Sequence, residues 1–252
     1  MGKVLLHFPT LDSTNQSASE LLTSQQIVQE GTVISTFHQV RGRGQMGNSW
    51  LCPPDVNIAM SVILKPHFLV PTRQFLLNCI AALAVRDTLA TYTQEQVSVK
   101  WPNDVLIEDK KVCGILIQNT LSTKGIVNSI IGIGINVNQS TFSSTLPHAT
   151  SLYLATQQQH DLKHVQQECL ARLERYYLSL RAGNIRRIEI AYRSQLYAYK
   201  EQRTYQTAAG EVFEATSIGV NKLGQLVLIR AGEQFTFNVK EVTLLKKGEP
   251  RI

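Results

Sequence analysis

Two short stretches concentrate residue types able to do chemistry on an anion. In "RGRGQMGNSW" (41–50), Arg41 and Arg43 sit among three glycines and the string ends on Trp50. Glycines let backbone N–H groups converge on an anion, and a guanidinium meets a carboxylate or phosphate through two parallel hydrogen bonds. In "VKWPNDVLIEDKKVCGIL" (99–116), Lys100 and Lys111 flank Asn103 and Asp104, while Pro102 restricts the backbone where a strand ends. Lysine brings a mobile positive charge, and a carboxylate suits a magnesium ion already bound to phosphate. Taken singly, the first string is also the composition of a solvated glycine-rich turn, and the second that of a charged β-turn.

Three further patterns are weaker on their own. "GIGINVN" (132–138) puts small residues on a central strand, where glycine permits close approach of a flat ligand and Asn136 offers both donor and acceptor. "STN" (13–15) reads first as a helix cap, although its hydroxyls and the helix-end amides could hold a polar ligand. His160, His164 and Glu168 are spaced by four within a predicted helix, so they could share a face and bind zinc; a solvated helix face is the simpler reading. The arginine loop is not a Walker A motif and lacks the setting of a dinucleotide fingerprint. With no Ser/His/Asp or Cys/His arrangement, the pattern points to activation by charge and positioning without a covalent protein intermediate.

The elements that must position these groups are legible in outline. Strands are predicted at 32–36, 57–64, 97–101, 105–109, 112–118 and 126–137, forming one mixed sheet with an antiparallel meander from 105 to 137. Helices are predicted after "STN", over 72–92, over 161–183 and near 185–197. From about Arg203 the chain alternates short strands with turns, which sets a boundary near residue 200 and a small β-barrel or sandwich beyond it. The 252 residues, 43% of them hydrophobic, suffice for a substantial core. Four scattered cysteines, no secretory signal and no membrane span lead to the expectation of a cytoplasmic, disulfide-free protein. A net charge of +6 suits an anionic ligand, an acidic partner or nucleic acid, but no helix-turn-helix or aromatic RNA-binding pattern is present.

In order and spacing, "STN", "HQVRGRGQMGNSW", "VKWPND", "KKVCGIL" and "GIGINVN" together resemble the biotin protein ligase family across about residues 7–140. "TSL" (150–152) and the β-rich tail extend the likeness more loosely. The resemblance implies an α+β fold: a mixed central β-sheet flanked by helices, of the class shared with class II aminoacyl-tRNA synthetases, plus a small C-terminal SH3-like β-barrel. Residues 1–200 would form the catalytic domain and 201–252 the small one. It implies two steps, in which a biotin carboxylate oxygen attacks the α-phosphate of ATP to give biotinyl-5'-adenylate, and a lysine of a biotin carboxyl carrier domain then takes the biotinyl group.

Carried onto this chain, the resemblance places Ser13, Thr14, Asn15 and Gln39 around the ureido head of biotin. Gly42, Arg43, Gly44 and Gln45 form the phosphate and adenylate loop, and Gly114 lets the pocket wall come close. Arg43 and Lys111 meet the biotin carboxylate and reacting oxygens. Trp50, Lys100, Asn103, Asp104 and Asn136 surround ATP, with Asp104 directed to its magnesium. Many members have arginine where this chain has Gln45. Longer members begin with a DNA-binding winged helix-turn-helix for which there is no room before residue 13, implying a ligase without repressor function or DNA partner. Neither a membrane partner nor a particular oligomer is implied, although some relatives are homodimers.

Overall fold

The structure, a computed structural model, describes residues 1–24, 27–123 and 125–245. Along the chain run β1 (Leu5–Phe8), α1 (Thr14–Thr23), β2 (Val33–Thr36), β3 (Gln39–Arg43), β4 (Ser49–Cys52), β5 (Asn57–Leu64), α2 (Phe75–Leu89), β6 (Val97–Lys100), β7 (Asp104–Ile107), β8 (Lys110–Ser122) and β9 (Gly125–Asn136). Then come α3 (Leu152–Thr156), α4 (Leu162–Arg181), α5 (Ile185–Ser194), β10 (Gln202–Thr207), β11 (Val212–Val220), β12 (Leu226–Arg230), β13 (Glu233–Phe237) and β14 (Val242–Leu244).

Seven strands build the main sheet in the order β1-β2-β5-β9-β8-β7-β6. β1 runs parallel to β2 and the remaining neighbours pair antiparallel, so the sheet is mixed. Side chains alternate between its faces. From β5, Ile58, Met60, Val62 and Leu64 enter the main core with Ile131, Ile133 and Ile135 of β9. Helices α2 and α4 supply Leu77, Ile80, Ala84, Val165, Cys169 and Leu173 to the same core. Ten consecutive α2 residues, Leu76–Val85, are buried, because sheet and helices cover it on opposite sides. The opposite sheet face receives α1 through Ala18, Ile34, Ile63 and Ile130.

The five C-terminal strands make an antiparallel sheet of the SH3-like kind, ordered β13-β12-β11-β10-β14, around Tyr205, Phe213, Ala215, Leu226, Leu228 and Val242. Trp101 joins the two units: its ring packs on both cores and Nε1 donates to the Gly224 carbonyl at 2.8 Å. Gly224, at φ +85, also lies so close to Phe75 that an added Cβ would fall 2.4 Å from its ring. All four cysteines are buried and unpaired.

Several elements differ from the sequence expectation. β1 was not anticipated, because all four of its residues are exposed and show no alternation. The glycine-rich loop is the turn of the β3–β4 hairpin. The 161–183 helix begins at Leu162, since the Asp161 side chain caps it by accepting from His164 N at 2.9 Å. His160 is therefore outside the helix and shares no face with His164 and Glu168; it lies edge-on to Tyr92 and 2.8 Å from Thr156 Oγ1.

Two contacts in this frame carry predictions. Tyr192 on α5 is completely buried against Phe75, and its hydroxyl has no hydrogen-bond partner. An unpaired buried hydroxyl costs about 1–3 kcal/mol. Tyr192→Phe should leave the melting temperature unchanged or raise it, as read by calorimetry. Glu30 ties the chain before β2 to α4, accepting from the Tyr177 hydroxyl, Lys65 N and Arg181. Burial alone would raise its pKa, but those hydrogen bonds outweigh it and hold Glu30 below the ordinary 4.5. A depressed carboxylate stabilises the fold above the unfolded pKa and loses that contribution as pH falls through the folded one. The melting-temperature gap between the parent protein and Glu30→Gln should thus be full near pH 7 and shrink as the pH falls below 4.5.

Candidate active site

On the face opposite α2, three adjacent strands align small residues. Ala59, Gly134 and Gly114 lie in one row across β5, β9 and β8, with Ser61, Gly132 and Leu116 in the next. Period-two spacing puts both rows on one face, leaving a depression. The Trp50 indole covers the first row: a Cβ on Gly134 would lie 2.4 Å from its Nε1, and one on Gly114 would lie 3.0 Å from Cζ3. Its enclosed Nε1 has no hydrogen-bond partner. Asn15 occupies the second row, where a Cβ on Gly132 would meet its Oδ1 at 2.1 Å. A cleft of about 170 Å3 remains between these groups.

At its neutral end, Ser13 caps α1 by accepting from Gln16 N, and the Thr14 amide donates to Gln39 Oε1 at 2.8 Å. Asn15 donates to the Leu116 carbonyl and to Gln118 Oε1, and Ser61 Oγ lies 2.8 Å from Thr14 Oγ1 and 2.6 Å from Asn15 Oδ1.

The charged end depends on a β-bulge. Val105 pairs with Cys113 but Leu106 pairs with Lys111, so Val112 is an extra residue in β8. Strict alternation from Gly114 would turn Lys111 into the core; with the bulge, Val112 and Cys113 are both buried and Lys111 emerges into the cleft. Backbone bonds from Lys111 N to the His148 carbonyl and from Thr150 N to the Lys111 carbonyl brace it. Lys111 Nζ is 2.7 Å from Asp104 Oδ1, an ion pair not aligned as a hydrogen bond, and 5.6 Å from the Trp50 ring centre. Asn103 Nδ2 donates to the Ile115 carbonyl at 2.7 Å.

The β3–β4 hairpin forms the roof. Gly42 sits opposite Trp50, and an added Cβ would lie 2.1 Å from the Trp50 carbonyl oxygen. The Gly44 amide is engaged by the Asn48 carbonyl at 2.7 Å. Arg43 is exposed and donates to Gln16 Oε1 at 3.2 Å.

Of the residues singled out from sequence, Ser13, Thr14, Asn15, Gln39, Arg43, Gly44, Gln45, Trp50, Asn103, Asp104, Lys111 and Gly114 line this cleft. Lys100 instead borders a neighbouring cleft beside the C-terminal sheet, which also touches Gln45, Asn48 and Asp104. Gly42 shapes the hairpin. Asn136 is buried, outside the lining, and donates to the Thr150 carbonyl at 3.0 Å. It therefore supports the segment that braces Lys111. Sequence reading missed Ser61, Gln118 and Gln16. The small residues at 59 and 61, two apart in an apolar strand, were a signal for the first, but only strand register matches them to Gly134 and Gly132.

A lysine paired with a carboxylate, in a cleft that Arg43 also lines and whose other end is neutral and hydrogen-bonding, suits the joining of a carboxylic acid to a second group; the protein is an enzyme of the ligase class. Residues 7–136 match the Biotin/lipoate A/B protein ligase family, and the chain belongs to that family. It is 33% identical over 232 residues to the bifunctional ligase/repressor BirA of Bacillus subtilis, covering 90% of this chain and 70% of that protein. It is 34% identical over 129 residues to the biotin–[acetyl-CoA-carboxylase] ligase of Paracoccus denitrificans, about half of each chain (50% and 51%). The biotin protein ligase of Aquifex aeolicus, solved with biotin and ATP, superposes with a TM-score of 0.80 at 26% identity, over 97% of this chain and 100% of that one. Among the described residues, no helix is long and apolar enough to cross a membrane.

Proposed function

We propose that the protein is an ATP-dependent biotin protein ligase that forms biotinyl-5'-adenylate and transfers biotin to a lysine of a biotin carboxyl carrier domain. The observation that carries this reading is Lys111, turned into the cleft by the bulge and placed with Asp104 beneath the arginine hairpin. Residues 1–200 act as the catalytic unit, with 201–252 as the small C-terminal one.

The neutral end, with Ser13, Thr14, Asn15 and Gln39, receives the ureido ring, and the cleft left between Asn15 and Trp50 receives the rest of the bicycle. Its carboxylate then points toward Lys111 and the hairpin. A carboxylate approaching an α-phosphate is opposed by like charge, and Arg43 and Lys111 offset that repulsion as charge moves to the bridging oxygen. Gly44 and Gln45 cover the adenylate, while Trp50 and Asn103 border the nucleotide and Lys100 its outer phosphates. Among the described residues there is no cluster of three or more His, Cys, Asp or Glu side chains suited to a metal. One carboxylate, Asp104, fits a magnesium ion held mainly by phosphate and water. Such an ion would neutralise phosphate charge.

Purified protein with ATP, magnesium and a carrier domain should transfer labelled biotin to the carrier, and absence of transfer would sink the reading. A lipoyl ligase is the competing assignment within the family. Tight lipoate binding without biotin binding in a competition assay would favour it.

A further inference from the structure

β9 ends at Asn136, and its pairing on β8 runs out with Ile135 opposite Cys113. Beyond that point the neighbour of β8 is the returning chain at 148–150, which bridges Lys111 in parallel at Ala149. Lys111 N donates to the His148 carbonyl at 2.7 Å, and the Lys111 carbonyl accepts from Thr150 N at 2.8 Å. The bulge that turns Lys111 into the cleft is thus held between β7 on one side and this segment on the other. Asn57, wholly buried at the start of β5, fixes where the chain leaves the sheet. Its Oδ1 accepts from Val137 N at 2.9 Å, and because a backbone N–H can only donate, the flipped amide is excluded. Its Nδ2 therefore faces Gln139 and donates to Oε1 at 2.6 Å. The Gln139 carbonyl in turn accepts from Ser151 Oγ at 2.6 Å, one residue past Thr150, and Tyr153 N donates to the Val137 carbonyl at 2.7 Å.

We propose that Asn57 is a positioning residue for Lys111 in adenylate formation, acting through the returning chain from 137 to 151. All eight residues of β5 are buried, a setting that favours an apolar side chain, and a buried amide is costly unless its groups are bonded. Both bonds of this amide go to the departing chain, at 137 and 139, so the polar group is spent on the path that chain takes. Without them residues 137–139 shift, Ser151 and Thr150 shift with them, and the bulge loses one of its two edges. Lys111 Nζ then moves relative to the oxygens it must meet. Asn57 does not line the cleft, so it acts only through this relay. The inference rests on the biotin ligase reading above and adds the residue that sets the place of its lysine.

The test is a double-mutant cycle in the full chain, read as the single-turnover rate of adenylate formation at saturating biotin and ATP, per folded molecule. Asn57→Ala should slow this rate by about tenfold or more, the scale expected when a reacting group is misplaced from a distance. In a Lys111→Ala background the same change should cost less than about threefold, because the amine it positions is gone. A purely structural role would cost the same factor in both backgrounds. Equal losses, or a rate for Asn57→Ala like that of the parent, would overturn the positioning role. Should Asn57→Ala fail to fold, Gln139→Ala, at a half-buried residue, removes the partner of Nδ2 and enters the same cycle with the same expected pattern. No adenylate formation by the parent protein would instead remove the ligase reading, and the role of Asn57 with it.

Discussion

Lys111→Ala is expected to slow adenylate formation by about 10²–10³-fold, the effect of removing one preorganised charge from a reacting oxyanion. Two changes act together. The cation is lost, and Asp104, whose Oδ1 lies 2.7 Å from Lys111 Nζ, becomes an uncompensated negative charge where two further anions must meet. Single-turnover release of pyrophosphate measures the step directly. A rate within threefold of the parent would take Lys111 out of the chemistry.

Gly42→Ala is the second large effect, expected at about 100-fold on the same step, with little change in melting temperature. The added Cβ would meet the Trp50 carbonyl oxygen at 2.1 Å and Gln39 Nε2 at 2.3 Å. The first of these is backbone and cannot turn aside, so the hairpin must open, displacing Arg43 and Trp50 together. The hairpin is a separate two-stranded sheet, so the main core should keep its stability. Gly47→Ala makes a useful contrast: no atom lies within 4 Å of its Cβ, and φ +88 leaves only backbone strain. Comparable losses at both glycines would count against the steric account.

The parts of this site that depend on chain periodicity were legible beforehand. Apolar, β-branched runs at 57–64 and 126–137 announced strands, and the structure pairs them residue for residue as β5 and β9. What escaped were features that break periodicity. The bulge at Val112 reverses which face Lys111 occupies, and one extra residue leaves no mark in a run of lysine, valine and cysteine. The hairpin looked like a loop because its arginines and glycines lack a strand's apolar alternation, although backbone pairing still forms. Ser61 drew no reading at all within its apolar strand. Its partners lie 46 and 47 positions away, and no local pattern connects them. Asn136 was read as a ligand contact because its strand was placed correctly, yet its amide serves Thr150.

The four buried thiols have a practical bearing on how the hairpin can be followed. Burial pushes Cys52 up to about 11 and Cys169 up to about 12, and holds Cys79 and Cys113 well above 9.0. Thiolate is the form that reacts, so maleimides near neutral pH find these four almost inert. An Arg41→Cys variant, at a side chain 81% exposed beside Gly42, would give a fluorophore a single fast-reacting attachment point. The chain is thus a ready background for one-site labelling, in which probe emission reports on the surroundings of the hairpin with no native cysteine removed.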